Sequence, residues 1–329
     1  MKRLQRIFGV GLVAIAVGCA GESSEATEQS AQSMSSAHTN PLVVLHESDA
    51  PQFGLYAPSA GGRARPGQEP PPARTAAERA ADIMAYAHSD YVFDGSMEGG
   101  VERGMPAFLE LRDALHDAGA TAATHPFVVK MAKIEDADQA RREVAAQLDA
   151  GASGIMFVEV ESAEEARIGI EAMRYAARGG TRPDGQVGSA PAYWGMDAEE
   201  YAEGADVWPL DPDGELIAWV IVESHEGLAN VREIAAVPGV GVLWPGAGTL
   251  RGLFSSTDAD GQRVLDEEAW EASIQQVLSA CKEFEVPCGY PANANDIEMR
   301  MEQGFSVFVM GWGDRGFETV EMGRTLAGR

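Results

Sequence analysis

Residues 219–250, WVIVESHEGLANVREIAAVPGVGVLWPGAGTL, decide how this chain is read. An apolar run at 217–222 ends on a carboxylate, Glu223. Continuous Val/Ile runs fit strands buried on both faces, as in a parallel sheet covered by helices. Leu228, Val231, Ile234 and Ala235 then recur at helical spacing. Pro238-Gly239 breaks the chain, and 240–244 reads as a second apolar strand. That strand runs out into a loop of small residues, Pro245-Gly246-Ala247-Gly248-Thr249. Strand, helix, strand, loop is one unit of an α/β fold. A lone acid at the carboxyl end of such a strand stands where (β/α)8 barrels place their chemistry.

Outward from this unit, the chain resembles the HpcH/HpaI aldolase family, the metal-dependent 2-oxo-acid aldolases related to the citrate lyase β-subunit. In that family the matching strand ends Ile-Glu-Thr and leads into a run such as NIDEIAAVPGVDGLFIGPADL, against NVREIAAVPGVG at 230–241 here. A second match is 151–166, GASGIMFVEVESAEEA, against the family's GAxGIMVPxVxTAEEA. Arg174-Tyr175 closes the helix that follows, as in the family. The resemblance covers residues from about 53 to the last. It implies a TIM (β/α)8 barrel of the phosphoenolpyruvate/pyruvate-binding type. It also implies a carbon–carbon lyase that handles a small 2-oxo acid through a metal-assisted enolate, with Mg2+ or Mn2+ as the cation and a hexamer as the homo-oligomer.

The site departs from the family residue by residue. Glu223 falls on the family's metal-binding glutamate, but the aspartate of Gly-Pro-Ala-Asp-Leu is matched by Thr249. The family's Asp-Met-Glu-His-Gly carries an acid/base histidine; Gly95-Ser96-Met97-Glu98-Gly99-Gly100 offers none. The arginine of Val-Arg-Val-Pro is replaced by Lys130, which keeps the charge and loses the bidentate fork. The candidates are therefore Glu98 and Lys130 for catalysis, Lys130, Gly248 and Thr249 for substrate, and Glu223 with Glu159 for the metal.

Read without the family, four strands end on or near acids: Asp94/Glu98, Glu159, Glu223 and Asp314. Such a set suits a hard divalent cation with oxygen ligands. A buried Glu223 needs a partner; a cation shared with Glu98 or Glu159 is one, and Lys130 or Lys133 is another. Glu98 reads equally as a solvated loop acid, and His225 as an exposed residue at a helix start. Loss of the aspartate, histidine and arginine together also fits a catalytically inactive barrel, tethered to a membrane, that binds a small carboxylic acid or a protein partner.

Acids outnumber bases by 51 to 25 in 329 residues. The net charge of −26 argues against nucleic acid and against charge-driven docking on anionic lipid. Lys2, Arg3 and Arg6, the apolar stretch 7–17 and Gly18-Cys19 resemble a bacterial lipoprotein signal; an ordinary cleaved signal peptide is the alternative. The expected organisation is a signal peptide at 1–18, a disordered tether at 19–50 and the barrel at 51–329. Lipid on Cys19 is expected to be the only membrane attachment. It would place the protein in the bacterial cell envelope, on the outer membrane facing the periplasm, because Ala20 rather than Asp follows Cys19. Cys281 and Cys288 either pair, as an oxidising compartment permits, or are small core residues, the preferred reading. The Gly/Pro-rich excursion 179–213 carries Tyr193, Trp194 and Trp208, which either cover the pocket or serve packing.

Overall fold

The structure, a computed structural model, describes residues 38–61 and 72–329. The signal peptide at 1–18, the lipidation site Cys19 and the tether up to residue 37 lie outside the described residues. Eight principal strands follow in chain order: β1 (Gln52–Tyr56), β2 (Val92–Asp94), β3 (Phe127–Met131), β4 (Gly154–Phe157), β5 (Leu216–Val222), β6 (Val240–Pro245), β7 (Gly289–Tyr290) and β8 (Val307–Met310). They pair in parallel in the order β7-β8-β1-β2-β3-β4-β5-β6. Sequence neighbours are therefore sheet neighbours throughout, and every connection carries at least one helix, as parallel pairing requires. A short strand, Val207–Trp208, adds to the edge of β5. An antiparallel hairpin, Ser255–Thr257 with Arg263–Leu265, stands apart from the main sheet.

The two ends of the strand order meet at a single parallel bridge, Leu243 with Cys288, where the Leu243 N–H donates to Pro287 O at 3.0 Å. The sheet is thus curled, and open along the β6–β7 seam except at that bridge. This corrects the expectation of a closed eight-stranded barrel. The cause is local: β7 is confined between Pro287 and Pro291, which have no N–H for a ladder. Trp244 also lies across Gly289, where a Cβ would come 1.7 Å from its ring.

Side chains alternate between the two faces of the sheet. Ile217, Trp219 and Ile221 of β5 join the inner cluster, whereas Leu216, Ala218, Val220 and Val222 pack beneath the helices. Trp219 is the centre of the inner cluster, stacked on Trp244 at 5.5 Å and meeting Tyr91 edge-on at 5.4 Å. Truncating an aromatic side chain so enclosed costs about 3–5 kcal/mol. Gly54 is required beside it, since a Cβ there would lie 2.1 Å from the Tyr91 ring.

The amino end of the sheet is covered by a helix, Pro41–Glu47, in a region expected to belong to the tether. Asn40 caps it, accepting from the Leu42 N–H at 3.0 Å, and Pro41 occupies the first turn, where its missing N–H costs nothing. Leu42 and Val43 are fully buried in the inner cluster. The Asn40 Nδ2 donates to Glu215 O at 2.7 Å and Gln52 Nε2 donates to Leu42 O at 3.0 Å, tying the helix to the starts of β5 and β1. An apolar Leu-Val-Val-Leu run behind a good N-cap has more to gain from burial than from solvent, which overturns the boundary at 50.

Cys281, in the helix Glu267–Glu283, is bonded to Cys288 with a Cα–Cα distance of 5.7 Å. The preferred reading as two separate core residues is corrected: the helix returns to the seam and brings the two within bonding reach. The aromatic residues of the excursion serve packing. The Tyr193 hydroxyl donates to His125 O at 2.7 Å, Trp194 meets Tyr201, and Trp208 stacks on His46 at 5.0 Å.

Candidate active site

With its amino end covered, the inner face is accessible at the carboxyl ends of the strands. A cavity of about 200 Å³ lies there. Its walls are apolar and aromatic, from Tyr56, Phe93, Ile221 and Trp244, and its polar side chains include Lys130, Glu223 and Thr249.

Glu223 follows the last residue of β5, and Ser224 immediately caps the next helix by accepting from the Gly227 N–H at 3.0 Å. That turn fixes the carboxylate at the cavity wall, where it is 8 % exposed. Its Oε1 accepts the Glu159 N–H at 3.2 Å, and the Thr249 hydroxyl lies beside it on the cavity wall, where it favours the ionised form. Burial pushes the Glu223 carboxyl above the usual carboxylate range. The Thr249 hydroxyl, the Lys130 charge and the Glu159 N–H oppose that shift without cancelling it. Gly246 is held tightly against this acid, since a Cβ there would come within 2.4 Å of Glu223 Oε2. The glycine at 246 in the small-residue loop is thus required because the carboxylate occupies the space.

Lys130 comes from β3, with its Nζ 3.0 Å from Glu98 Oε1. The lysine side chain is 15 % exposed and the glutamate 47 %, so the pair reaches from the cavity wall to solvent. Tyr56 stands beside them. Burial raises its hydroxyl pKa, Lys130 lowers it, and Glu98 and Glu223 add to the rise.

Lys130, Gly248, Thr249 and Glu223 therefore share one cavity. Glu98 touches that group through Lys130 but is not itself part of the wall. Glu159 is exposed, with a left-handed φ of 50°, and presents its amide rather than its carboxylate to Glu223. Asp94 is used locally, accepting from the Ser96 N–H at 2.8 Å. Asp314 lines a separate hollow. Lys133 is paired with Glu161 rather than Glu223. His225 is exposed, edge-on to Phe254. Sequence reasoning missed Tyr56, Phe93 and Trp244, which read as ordinary strand residues; only their position at strand ends marks them.

The family resemblance implies a divalent cation, and Glu223 is the acid of the described wall that would hold it. Among the described residues, no three His, Cys, Asp or Glu side chains converge on a point. Glu223 is the only acid among the described residues of the wall, and it already accepts from the Glu159 N–H. Lys130 brings a positive charge into the same space, which opposes a second cation. Of the two acids expected to hold Mg2+ or Mn2+, Glu223 faces the cavity, whereas Glu159 turns its amide rather than its carboxylate toward it. The arrangement suits an anion: an ammonium group faces a small apolar cavity beside a carboxyl that burial makes easier to protonate.

A curled parallel α/β sheet with its polar groups collected at strand carboxyl ends defines a class of small-ligand and enzyme scaffolds. A family model, HpcH/HpaI aldolase/citrate lyase, matches residues 74–311, and the chain belongs to that family. It is 35% identical over 126 residues to a hydroxypyruvate/pyruvate aldolase of Paraburkholderia phytofirmans, covering 36% of this chain and 45% of that one. It is 28% identical over 163 residues to a 2-dehydro-3,6-dideoxy-6-sulfogluconate aldolase of Pseudomonas putida, covering 48% and 57%. The chain thus spans about half the length of these curated relatives. Among solved structures, an HpcH/HpaI aldolase/citrate lyase family protein from Burkholderia cenocepacia J2315 superposes with a TM-score of 0.62 at 20% identity, over 87% of this chain and 98% of that one. At that identity the likeness shows the fold.

Proposed function

We propose that the protein is a carbon–carbon lyase of the 2-oxo-acid aldolase type. Membership of an aldolase family supports this reading, and one observation carries it: Lys130 and Glu223 face the same cavity of about 200 Å³. In the proposed cycle a 4-hydroxy-2-oxo acid sits with its oxo-acid end beside Lys130 and Thr249. Glu98 takes the proton of the C4 hydroxyl, the C3–C4 bond breaks, and an aldehyde leaves. The bonding pair becomes the C2–C3 double bond of an enolate, and Lys130 holds the charge that develops on its oxygen. Protonated Glu223 then gives C3 its proton, and solvent restores both acids.

Pyruvate release from 4-hydroxy-2-oxo acids by the full chain tests the reading. Lys130→Gln is expected to lower kcat by about a hundredfold, the usual cost of losing one oxyanion donor, and a chelator is expected to leave the rate unchanged. No pyruvate from any such acid would refute the lyase.

A specific observation favours a second reading. Thr249 stands beside Glu223 where the family resemblance expects an anionic metal ligand, and it brings a hydroxyl in place of a second carboxylate. A barrel that binds a small carboxylic acid without cleaving it would show pyruvate affinity, lost in Lys130→Gln, and no turnover. Thr249→Asp with Gly99→His is then expected to introduce cation-dependent cleavage. The second change is tolerated because a Cβ at Gly99 meets only the flexible Arg103 side chain.

We also infer that the protein is exported and anchored by lipid on Cys19. The basic, apolar and Gly18-Cys19 series supports this, and so does the Cys281–Cys288 bond, since disulfides persist mainly in oxidising compartments. Cys19→Ala is expected to release the protein from membranes; wild type with an unmodified Cys19 would end the idea. A homo-oligomer, hexameric by resemblance, is proposed on the same footing, and light scattering decides it.

A further inference from the structure

Beside the central cavity lies a second one of about 320 Å³, and Gly248 lines both. Two arginines, Arg251 and Arg263, form its charged walls. Arg251 belongs to the helix Ala247–Leu253, two residues beyond Thr249, and its guanidinium lies over the Trp270 ring at 5.4 Å. Arg263 is delivered by the hairpin, and its Nη2 donates to Gly252 O at 3.3 Å. Both side chains are thus held in place by apolar or backbone contacts rather than by acids. Most basic side chains among the described residues are ion-paired, as Arg74, Arg174 and Arg300 are, but neither Arg251 nor Arg263 has a carboxylate partner there. In a chain with twice as many acids as bases, two uncompensated guanidinium groups on one hollow mark a place where the missing anion comes from outside. Gly248, on the wall common to both cavities, has open space beside it, as a Cβ there would meet nothing within 4 Å.

We propose that this groove is an oxyanion subsite. It receives the distal carboxylate or phosphate of a small molecule whose 2-oxo-acid end occupies the central cavity. The second half of this proposal rests on the function proposed above; the anion site itself does not. It names the substrate class: oxo acids with a second anionic group, in preference to those with an uncharged tail.

The test uses the full chain, with Arg251→Gln/Arg263→Gln and Lys130→Gln variants, at low ionic strength, where exposed charges are least screened. Both arginines are exposed, so unchanged unfolding midpoints establish that the double variant is folded. Calorimetric titration with inorganic phosphate is expected to show binding that the double variant loses by about tenfold or more and Lys130→Gln retains. No phosphate or succinate binding by wild type, or equal binding by the double variant, overturns the subsite. Whichever of phosphate and succinate binds more tightly identifies the distal group. 2-Oxoglutarate is expected to bind wild type about tenfold more tightly than pyruvate, and the double variant is expected to erase that difference while leaving pyruvate unchanged. Equal affinities for the two acids in wild type would refute the link between cavities. If phosphate behaves as expected but neither oxo acid responds to Lys130→Gln, the groove stands and the central-cavity reading falls.

Discussion

Replacing His46 by Phe tests whether the helix Pro41–Glu47 truly closes the amino end of the sheet. The His46 ring is stacked on Trp208, nearly parallel at 10°, and its Nε2 is buried with no hydrogen-bond partner. Burial alone pushes its pKa down from 6.5 to about 3. The sign follows directly. A pKa lower in the folded state means that the unfolded chain binds the proton first as pH falls. Stability is therefore complete above pH 6.5 and lost progressively toward pH 3. At about 1.4 kcal/mol per pH unit, lowering the pH from 7 to 4.5 removes about 2.5 kcal/mol through this one ring. Phenylalanine keeps the stacking and carries no proton. Urea unfolding of both proteins at pH 7 and 4.5 cancels the shared carboxylate titrations. Wild type should lose about 2.5 kcal/mol more than His46→Phe over that interval. Equal losses would mean that the ring is solvated in the native state and that this segment does not cover the sheet.

Glu223→Gln is expected to stabilise the protein at pH 7 or leave it unchanged. Burial raises the Glu223 pKa, so its stability contribution is full below the ordinary carboxylate range and declines as pH rises through the folded value; thermal unfolding from pH 4 to 8 should show that decline in wild type and its absence in the variant. Cys281→Ala is expected to cost about 2.5 kcal/mol, the loop entropy released when a bond between residues 7 apart is lost, and reductant should lower wild type to the variant's urea midpoint. Trp219→Ala should cost about 3–5 kcal/mol in the same assay, and a smaller loss would show the inner cluster to be loosely packed.

The strands at 217–222 and 240–244 were legible because each is a short apolar run between breakers, and both are found within a residue of those bounds. Closure was not legible, because it depends on a pairing between β6 and β7 that no local pattern encodes. Pro287 and Pro291 were visible as strand limits, but their effect on the seam requires knowing that Trp244 lies over Gly289. The disulfide was left open for the same reason: spacing allows a bond across a helix end, and only the fold sets the 5.7 Å approach. The helix Pro41–Glu47 is a different kind of miss. Its Asn-Pro start and apolar run were readable, but a polar stretch before it drew the boundary too far along the chain.

At the site, sequence reasoning found the charged residues but not the contacts they make with one another. Glu98 and Lys130, read as separate catalytic candidates, are a pair 3.0 Å apart. Glu159, read as a metal ligand from its carboxylate, acts through its N–H. Both contacts escape the sequence because a strand-end position tells which residues gather but not which atom of each turns inward. The φ of 50° at Glu159 makes the difference there, since it turns the amide toward Glu223 while the side chain stays in solvent. Thr249 completes the same logic. In place of a second negative charge it sets a hydroxyl beside Glu223, which with the Lys130 charge offsets part of what burial costs that acid. The close contact of Gly246 with Glu223 holds the loop where the resemblance would have it, while the group that loop presents has changed from an anion to a donor. A site changed in that way keeps its affinity for a carboxylate or an enolate oxygen, because donors and an ammonium group remain. The Lewis-acid chemistry that two carboxylates and a cation supply is the part on which the change at Thr249 bears. That is why the comparison between pyruvate binding and pyruvate release, rather than either alone, separates a slow lyase from a binding protein built on a lyase scaffold.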